Sequence, residues 1–300
     1  MSKLVLVDGN AIIHRAYHAM PTTLTDKEGN PTNAVYGFTS MLLRIIEDLD
    51  PTHLIVCFDR KEPTFRKEMF DDYQSHRPEA DKELISQFGT VRKVVSSFGI
   101  PIFDKAGYEA DDLIGTIAKK AEKDLDGVVI VTGDKDILQL VTDKTKVYLP
   151  IKGLSVAKLM DKDEVMAKLG VWPEQIVDYK ALVGDPSDNY PGVRGVGPKT
   201  AESLLDEYEN FGEIYKNIDD IPVTTKKKLV DGKEMGEMSY KLAKIDTDVP
   251  IQYDVNKAKD WGIERKEILE TFSDIGFRSL SERVKKMRKI KEEQSQMSLV

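Results

Sequence analysis

The sequence predicts an α/β fold with a mostly parallel central sheet that is flanked by helices. Its strongest signals are three apolar, β-branched segments of strand length, at residues 4–7 (LVLV), 54–58 (LIVCF) and 128–132 (VVIVT). Such continuous apolar runs are typical of strands buried on both faces. Helical patterns lie between them, at residues 36–49, 84–98 and 112–123. This alternation favours parallel strands joined by helical crossovers.

Length and composition exclude several classes of protein. Three hundred residues are enough for two domains, and the single cysteine, Cys57, excludes a disulfide framework and favours a reducing compartment. There is no run of eighteen apolar residues, and the N-terminal apolar stretch is too short for a signal peptide. We therefore expect a cytoplasmic protein with no membrane partner.

Each predicted strand leads into acidic residues. The first ends at Asp8, the second at Asp59, and the third continues through Gly133 to Asp134 and Asp136. In open α/β sheets, ligands bind beyond the carboxyl ends of the strands, so these acids are expected at one edge. One acid after a strand is ordinarily a solvated turn, but three such segments favour a shared site.

A fourth acidic segment is GYEADDLIG, at residues 107–115. Glu109 and Asp112 are three residues apart, so they are predicted to share one helix face, with Asp111 beside them. Acids in a first helical turn are also favoured by the helix dipole alone. A purely structural role is therefore equally consistent with this segment.

One loop combines two acids with a glycine-rich turn that opens a helix. Asp185 and Asp188 lie beside prolines, where a loop or short turn is predicted. The glycines of residues 192–197 (GVRGVG) allow the backbone to approach a partner closely. Pro198 suits the first position of a helix, whose free N–H groups and positive dipole end, next to Lys199, favour a backbone phosphate.

The glycine turn has more than one interpretation. A nucleotide-binding P-loop is excluded, because Pro198 separates Gly197 from Lys199 and no apolar strand leads into the turn. A helix-hairpin-helix that holds nucleic-acid backbone fits better. Taken alone, the turn is also consistent with an ordinary helix cap and loop.

Basic and aromatic side chains alternate in residues 60–84, which lack a clear strand pattern. They are Arg60, Lys61, Arg66, Lys67, Arg77 and Lys82, with Phe65, Phe70 and Tyr73 among them. Such a pattern can grip a backbone and stack a base. Acidic residues dilute it, so a solvated surface helix is equally consistent.

Nine carboxylates stand out: Asp8, Asp59, Glu109, Asp111, Asp112, Asp134, Asp136, Asp185 and Asp188. They cannot all be ionised in one site unless cations offset the repulsion. Oxygen ligands without histidine or cysteine select Mg²⁺ or Mn²⁺, and the His14/His18 pair has no zinc-site context. Two such cations can activate a water and stabilise the leaving oxygen at phosphorus, so phosphodiester hydrolysis is the predicted reaction. The net charge of -8 does not oppose a nucleic-acid partner, since the chain without these acids is nearly balanced.

Six ordered segments carry a resemblance to a known family: VDGNAIIHRAYHA, FDRKEPTFR, YQSHRPE, GYEADDLIGT, VTGDKDILQLV and GDPSDNYPGVRGVGPKTA. Together they closely resemble the 5′-nuclease domain at the N-terminus of bacterial DNA polymerase I, within the flap endonuclease family. The resemblance runs from about Leu4 to Val249 and continues more weakly at residues 272–284. It implies a PIN-like 5′-nuclease fold with a helix-hairpin-helix subdomain, which cuts DNA near 5′ flaps or ends.

The resemblance also implies roles for single residues. The ligands of a first, catalytic metal region would be Asp8, Asp59, Glu109, Asp111, Asp112 and Asp134. Those of a second region would be Asp136, Asp185 and Asp188, with Asp134 near both. The cofactor would be Mg²⁺ or Mn²⁺, with two or more ions bound.

DNA contacts are implied as well. Arg15, Arg66 and Arg77 match basic positions that contact the 5′ strand or the scissile phosphate, where Arg77 would take part in catalysis. Tyr73 matches an aromatic residue on which a base stacks. The downstream duplex would be held by the helix-hairpin-helix residues Gly192, Gly195, Gly197, Lys199 and Thr200. In similar proteins this turn also binds K⁺ through its carbonyl groups.

One position departs from the family pattern. Gln74 follows Tyr73, where the family has a lysine near the scissile phosphate. Glutamine donates hydrogen bonds but brings no charge, which predicts weaker transition-state stabilisation. A catalytically weak or inert DNA-binding module is therefore the alternative, and an RNA-directed nuclease with a similar acidic core is a second rival.

The predicted organisation has three segments. They are a nuclease core at 1–183 with a helical clamp at about 60–95, a helix-hairpin-helix subdomain at 184–255, and a C-terminal helical segment and tail at 256–300. The predicted partners of this monomer are branched or 5′-ended duplex DNA, RNA–DNA primer junctions and a covalently attached polymerase domain. Primer removal in replication and repair is the expected role.

Overall fold

The computed structural model of the chain describes residues 1–152 and 156–297. Six strands form one sheet in the order β3-β2-β1-β4-β5-β6. Their bounds are Lys3–Asp8 (β1), His53–Cys57 (β2), Ile102–Phe103 (β3), Gly127–Val131 (β4), Thr145–Lys152 (β5) and Val156–Met160 (β6). β1 to β5 pair in parallel, and β6 runs antiparallel to β5 at the edge. The predicted mostly parallel α/β fold is confirmed.

Helices fill the connections and form the second half of the chain. They span Gly9–Ala19 (α1), Asn33–Leu49 (α2), Phe65–Met69 (α3), Lys82–Ser97 (α4), Ala110–Ala121 (α5), Lys162–Leu169 (α6), Ile176–Val183 (α7), Pro198–Tyr208 (α8), Phe211–Lys216 (α9), Val223–Asp231 (α10), Lys233–Ala243 (α11), Lys266–Ile275 (α12) and Arg278–Met297 (α13). The three helical patterns predicted between strands correspond to α2, α4 and α5. No helix in the described part is long and apolar enough to cross a membrane.

The strand register brings the acidic strand ends together. Asp8 lies opposite Cys57 in β2, and Val7 lies opposite Val131 in β4. The chain therefore leaves β2 toward Asp59, and β4 toward Asp134, at the edge where Asp8 ends β1.

Helices bury both faces of the sheet. On one face, Leu4 and Ile130 pack with α5 and with helices of the second half of the chain. On the other face, Val5 and Val131 pack with α1, α2 and α4. α12 and α13 join this second core through side chains such as Phe272. The end of the chain that was predicted as a tail continues α13 as far as Met297, and residues 298–300 lie outside the described residues.

The glycine-rich turn lies between α7 and α8. Gly184 ends α7 with φ 77°, and Pro198 takes the first position of α8 as predicted. Val193 and Val196 are buried and anchor the turn in the core below. Two helices joined by a glycine turn form the predicted hairpin motif, and its acidic loop adjoins the carboxyl edge of the sheet.

Candidate metal centre

A cleft of about 680 Å³ opens at the carboxyl edge of the sheet. Seven of the nine predicted carboxylates line it: Asp8, Asp59, Glu109, Asp111, Asp134, Asp136 and Asp188. They come from five separate segments of the chain, namely the ends of β1, β2 and β4, the start of α5, and the loop after α7. The fold thus gathers acids that are distant in sequence.

The carboxylates on the sheet side also fix the local backbone. Asp8 caps α1 by accepting a hydrogen bond from the Ala11 N–H (2.9 Å), and it accepts a second from the Thr132 hydroxyl (2.7 Å). Asp59 accepts one from the Ala110 N–H at the start of α5 (2.7 Å). Each of these groups keeps acceptor capacity toward the cleft, because a carboxylate has about four lone-pair positions.

Three acids lie close enough to share one cation: Asp136, Asp185 and Asp188. One oxygen from each lies within 4.8 Å of the others. The Asp185–Tyr190 backbone pair closes the loop that carries two of them, with N–H···O distances of 2.8 and 3.1 Å. Hard oxygen donors without nitrogen or sulfur ligands suit a divalent cation such as Mg²⁺ or Mn²⁺. We call these three residues the acidic trio.

A lysine that the sequence reasoning missed lies in the acidic trio. The Lys180 ammonium of α7 donates hydrogen bonds to Asp136 and Asp185. Burial would lower its pKa, but the two carboxylates outweigh burial and raise it. The sequence offered only a lone lysine in the largely apolar stretch IVDYKALV, five residues before Asp185. Lys180 therefore neutralises part of the negative charge of the trio.

Burial shifts the pKa of three cleft acids on the sheet side upward. Desolvation raises the pKa of Asp8 to about 7, and it raises the pKa of Glu109 to about 7. It also raises the pKa of Asp111 well above its usual value, with the Asp8 charge as the next cause. Neighbouring buried carboxylates repel one another when they are ionised, and bound cations would relieve this repulsion.

The metal-free protein should lose stability as the pH rises. Asp8 and Glu109 have folded pKa values of about 7, against unfolded values of about 4. Their contribution to the free energy of unfolding is therefore fully present below about pH 4, and it is lost as the pH rises through about 7. We expect the Tm in a chelator to fall between about pH 5 and pH 8, and Mg²⁺ to reduce this fall. Thermal unfolding followed by circular dichroism checks it, and a Tm that rises over this window in chelator would contradict it.

The structure contradicts the assignment of Asp112 as a metal ligand. Its side chain is fully buried, and its two oxygens accept two hydrogen bonds from Arg66, both at 2.8 Å. The Glu109 N–H (3.0 Å) and the Asp246 N–H (2.8 Å) donate to it as well. All four lone-pair positions are occupied. Asp112 therefore holds the start of α5 and the buried arginine, and it does not line the cleft.

Arg66 is also wrongly predicted as a DNA contact. The side chain is 2% exposed. Besides pairing with Asp112, it donates to the carbonyls of Leu242 and Lys244, each at 2.9 Å, and to Glu109 at 3.2 Å. Arg66 borders the cleft, but all of its N–H groups are engaged inside the protein, so none is free to donate to a phosphate in this conformation. It fastens α3 to α5 and to the end of α11.

The clamp residues converge on Asp188. The Tyr73 hydroxyl donates to Asp188 at 3.1 Å, the Gln74 amide at 3.2 Å and the Arg77 guanidinium at 2.5 Å. Tyr73 is buried, so its predicted role as a stacking platform does not hold in this conformation. Arg77 is about half exposed and lines the cleft, as a phosphate contact would require.

The predicted hairpin residues divide into two groups. Gly192 is buried, and an added Cβ would lie 2.3 Å from the Gly184 backbone nitrogen, so this glycine shapes the acidic loop and does not face a ligand. Gly195 and Lys199 are exposed at the turn, with Gly197 and Thr200 partly exposed beside them. The Gly195 carbonyl accepts a hydrogen bond from Lys228 at 3.0 Å, so an ammonium already uses one carbonyl of the turn.

Arg15 is the one predicted arginine contact that does not line the cleft among the described residues. It is partly buried on α1. The structure therefore gathers Arg77 and Gln74 at the cleft, places the exposed hairpin residues on the neighbouring subdomain, and leaves Arg15 apart from both.

Two family models match the chain. The first, 5′-3′ exonuclease, N-terminal resolvase-like domain, matches residues 3–170, and the second, 5′-3′ exonuclease, C-terminal SAM fold, matches residues 171–266. The 5′-3′ exonuclease of Bacillus subtilis is 41% identical over 253 residues, which cover 83% of this chain and 85% of that protein. DNA polymerase I of the same organism is 43% identical over 283 residues, which cover 94% of this chain and 32% of that protein. The chain thus spans about a third of the length of its polymerase relatives.

Solved structures agree on the fold. The flap endonuclease of bacteriophage T5, in a pseudo-enzyme-product complex with DNA and metal ions, has a TM-score of 0.66 at 22% identity and covers 97% of this chain and 99% of that one. The catalytic core of Rad2, in complex with DNA substrate, has a TM-score of 0.57 at 19% identity and covers 94% of this chain and 91% of that one. The solved structures share the fold, and the two family models together with the 41% identical exonuclease show that the chain belongs to the 5′-3′ exonuclease family.

Proposed function

We propose that the chain is a divalent-metal-dependent 5′-nuclease that hydrolyses DNA near 5′ flaps or ends. One observation carries this proposal: seven carboxylates from five segments line a single cleft, and the acidic loop runs directly into a glycine hairpin. Acids alone would repel a DNA strand, so the arrangement makes chemical sense only with cations between the carboxylates and a phosphate.

Residues of the cleft would hold the cations in two groups. The acidic trio would bind one, and Asp8, Asp111 and Asp134, with Asp59 and Glu109 beside them, would bind the other. When bound, Mg²⁺ or Mn²⁺ supplies an activated water and stabilises the leaving oxygen. In the reaction, water oxygen bonds to phosphorus and the P–O3′ bond breaks, which leaves a 5′-phosphate and a 3′-hydroxyl.

Basic and backbone groups would position the DNA. Arg77 can turn from Asp188 to a phosphate in the cleft, because about half of its side chain is exposed. The exposed Gly195, Lys199 and the N-terminus of α8 would hold duplex backbone, which reads shape more than sequence. Binding should weaken steeply with salt. K⁺ binding at this turn is a further proposal, and K⁺ would compete with Lys228 at the Gly195 carbonyl.

The wider biological setting is also a proposal. The polymerase relatives motivate an attached polymerase domain and a role in primer removal at RNA–DNA junctions during replication and repair. We propose a monomeric, cytoplasmic protein whose segments divide at about residues 183 and 255.

Gln74→Lys is expected to raise the cleavage rate about 10-fold or more if the missing charge limits transition-state stabilisation. The side chain lines the cleft, so a lysine there brings an ammonium to the phosphate that would face Asp188. Single-turnover cleavage of a labelled flap measures the effect. Gln74→Met is the matched control and should give no gain. An equal rate for lysine and glutamine would mean that Arg77 or Lys67 already supplies the charge.

A flap-cleavage assay tests the proposed function. A 5′-labelled DNA flap is incubated with the chain in chelator, and Mg²⁺ is then added. We expect binding under both conditions and cleavage at the junction only after Mg²⁺ is added. Binding without cleavage at any Mg²⁺ or Mn²⁺ concentration would favour the inert DNA-binding module. A matched RNA flap that is cut faster would favour the RNA-directed nuclease.

A further inference from the structure

Tyr190 has a buried hydroxyl without a hydrogen-bond partner among the described residues. The residue is 3% exposed. The other side-chain atoms of this kind in the described part are His53 Nε2 and the Tyr253 hydroxyl. Buried polar groups are almost always paired in native proteins, so a phenol that could be a phenylalanine at no loss of packing needs an explanation.

The backbone orients the Tyr190 side chain toward the acidic trio. Tyr190 and Asp185 face each other across an antiparallel bridge and exchange both N–H···O hydrogen bonds. Residues directly opposite in such a pair project to the same side, so the Tyr190 ring stands beside the Asp185 carboxylate. The ring belongs to a buried apolar cluster that also contains Val177, Leu242 and Ala243.

Tyr190 also closes the loop that carries Asp185 and Asp188, so it adjoins two members of the trio along the chain. Tyr190 is buried and does not line the open cleft, so its side chain lies on the protein side of this loop.

The trio carboxylates are already engaged by other donors in this structure. Lys180 donates to Asp136 and Asp185, while Tyr73, Gln74 and Arg77 donate to Asp188. A phenol oxygen can accept as well as donate. The partner that fits it best is a strong donor that arrives with a cation. A water on Mg²⁺ is such a donor, because the metal polarises it and Mg²⁺ keeps several waters when it binds.

We propose that the Tyr190 hydroxyl accepts a hydrogen bond from a water coordinated to the divalent cation of the acidic trio. It is a positioning residue: it orients the water and holds the cation against the loop of Asp185 and Asp188. This inference rests on the cation site of the proposed function. It adds an outer ligand that lies outside the nine carboxylates.

The test measures Mn²⁺ binding to the full chain without DNA by isothermal titration calorimetry. Tyr190→Phe keeps the ring and removes only the hydroxyl, and its affinity for Mn²⁺ at the trio should fall about 10-fold, as is typical for loss of an outer-shell partner. Tyr253→Phe removes the other buried, unpartnered tyrosine hydroxyl and should leave affinity unchanged. Asp188→Asn identifies which binding event belongs to the trio.

Unfolding in chelator separates positioning from structure. Tyr190→Phe should be at least as stable as the wild type, because the lost hydroxyl had no partner to lose. Equal Mn²⁺ affinity for Tyr190→Phe and wild type would overturn the inference and leave the cation site intact. Lower stability in chelator together with lower affinity would overturn it as well, since the role would then be structural. Wild-type Mn²⁺ binding that Asp188→Asn does not alter would instead refute the cation site itself.

Discussion

Asp134→Asn should reduce flap cleavage about 1,000-fold or more, since loss of a cation ligand removes several kcal/mol of transition-state stabilisation. Asp134 lines the cleft between the end of β4 and the acidic trio. Its oxygen accepts the Asp136 N–H at 2.9 Å, and an asparagine oxygen can keep that bond. The change therefore removes a charge with little disturbance of the backbone.

Binding and a distant control make this result specific. Flap binding measured in chelator should be unchanged or slightly tighter for Asp134→Asn, because one negative charge facing the DNA is lost. Asp143→Asn is the same substitution at an acid that is 89% exposed and pairs with Lys162, so its cleavage rate should equal that of wild type. Wild-type turnover by Asp134→Asn would remove this residue from the site.

Arg66→Met should lower the free energy of unfolding by about 3–5 kcal/mol, which is the usual cost of leaving one partner of a buried ion pair alone. Asp112 is fully buried, and after the change it would keep two backbone donors but no counter-charge. The carbonyls of Leu242 and Lys244 would also lose their donor. Urea unfolding followed by circular dichroism measures the loss.

The matched variant is Arg77→Met. This arginine is about half exposed, and its pair with Asp188 should contribute no more than about 1 kcal/mol to stability. It should instead weaken cleavage and flap binding. Stability losses of equal size for the two variants, or an Arg66→Met protein as stable as wild type, would contradict the distinction between a structural and a DNA-facing arginine.

The central fold was predictable because its strands are buried on both faces. The runs LVLV, LIVCF and VVIVT are apolar throughout, which is typical of strands buried on both faces of a sheet. Their alternation with helical patterns predicted a parallel sheet. Strands β3, β5 and β6 were missed. β3 has only two residues, too few for a pattern. The sequences of β5 and β6, TKVYLPIK and VAKLM, mix polar and apolar residues, and that mixture does not distinguish a strand from a loop.

The acids of the site were predictable for a related reason. Acids that follow buried parallel strands must emerge at one edge, whatever else the chain does. Roles that depend on burial were not predictable. A sequence pattern does not tell whether Arg66 faces solvent or Asp112, and it gives no sign that Tyr73 turns inward to Asp188. Lys180 was missed because a single lysine in a short helix carries no periodic signal.

The most direct measurement is anomalous diffraction from crystals of the chain soaked in Mn²⁺. We expect one peak within coordination distance of Asp136, Asp185 and Asp188, and a second between Asp8, Asp111 and Asp134 across the same cleft. Fully occupied Mn²⁺ at other surfaces, with no peak at either group of carboxylates, would contradict the account.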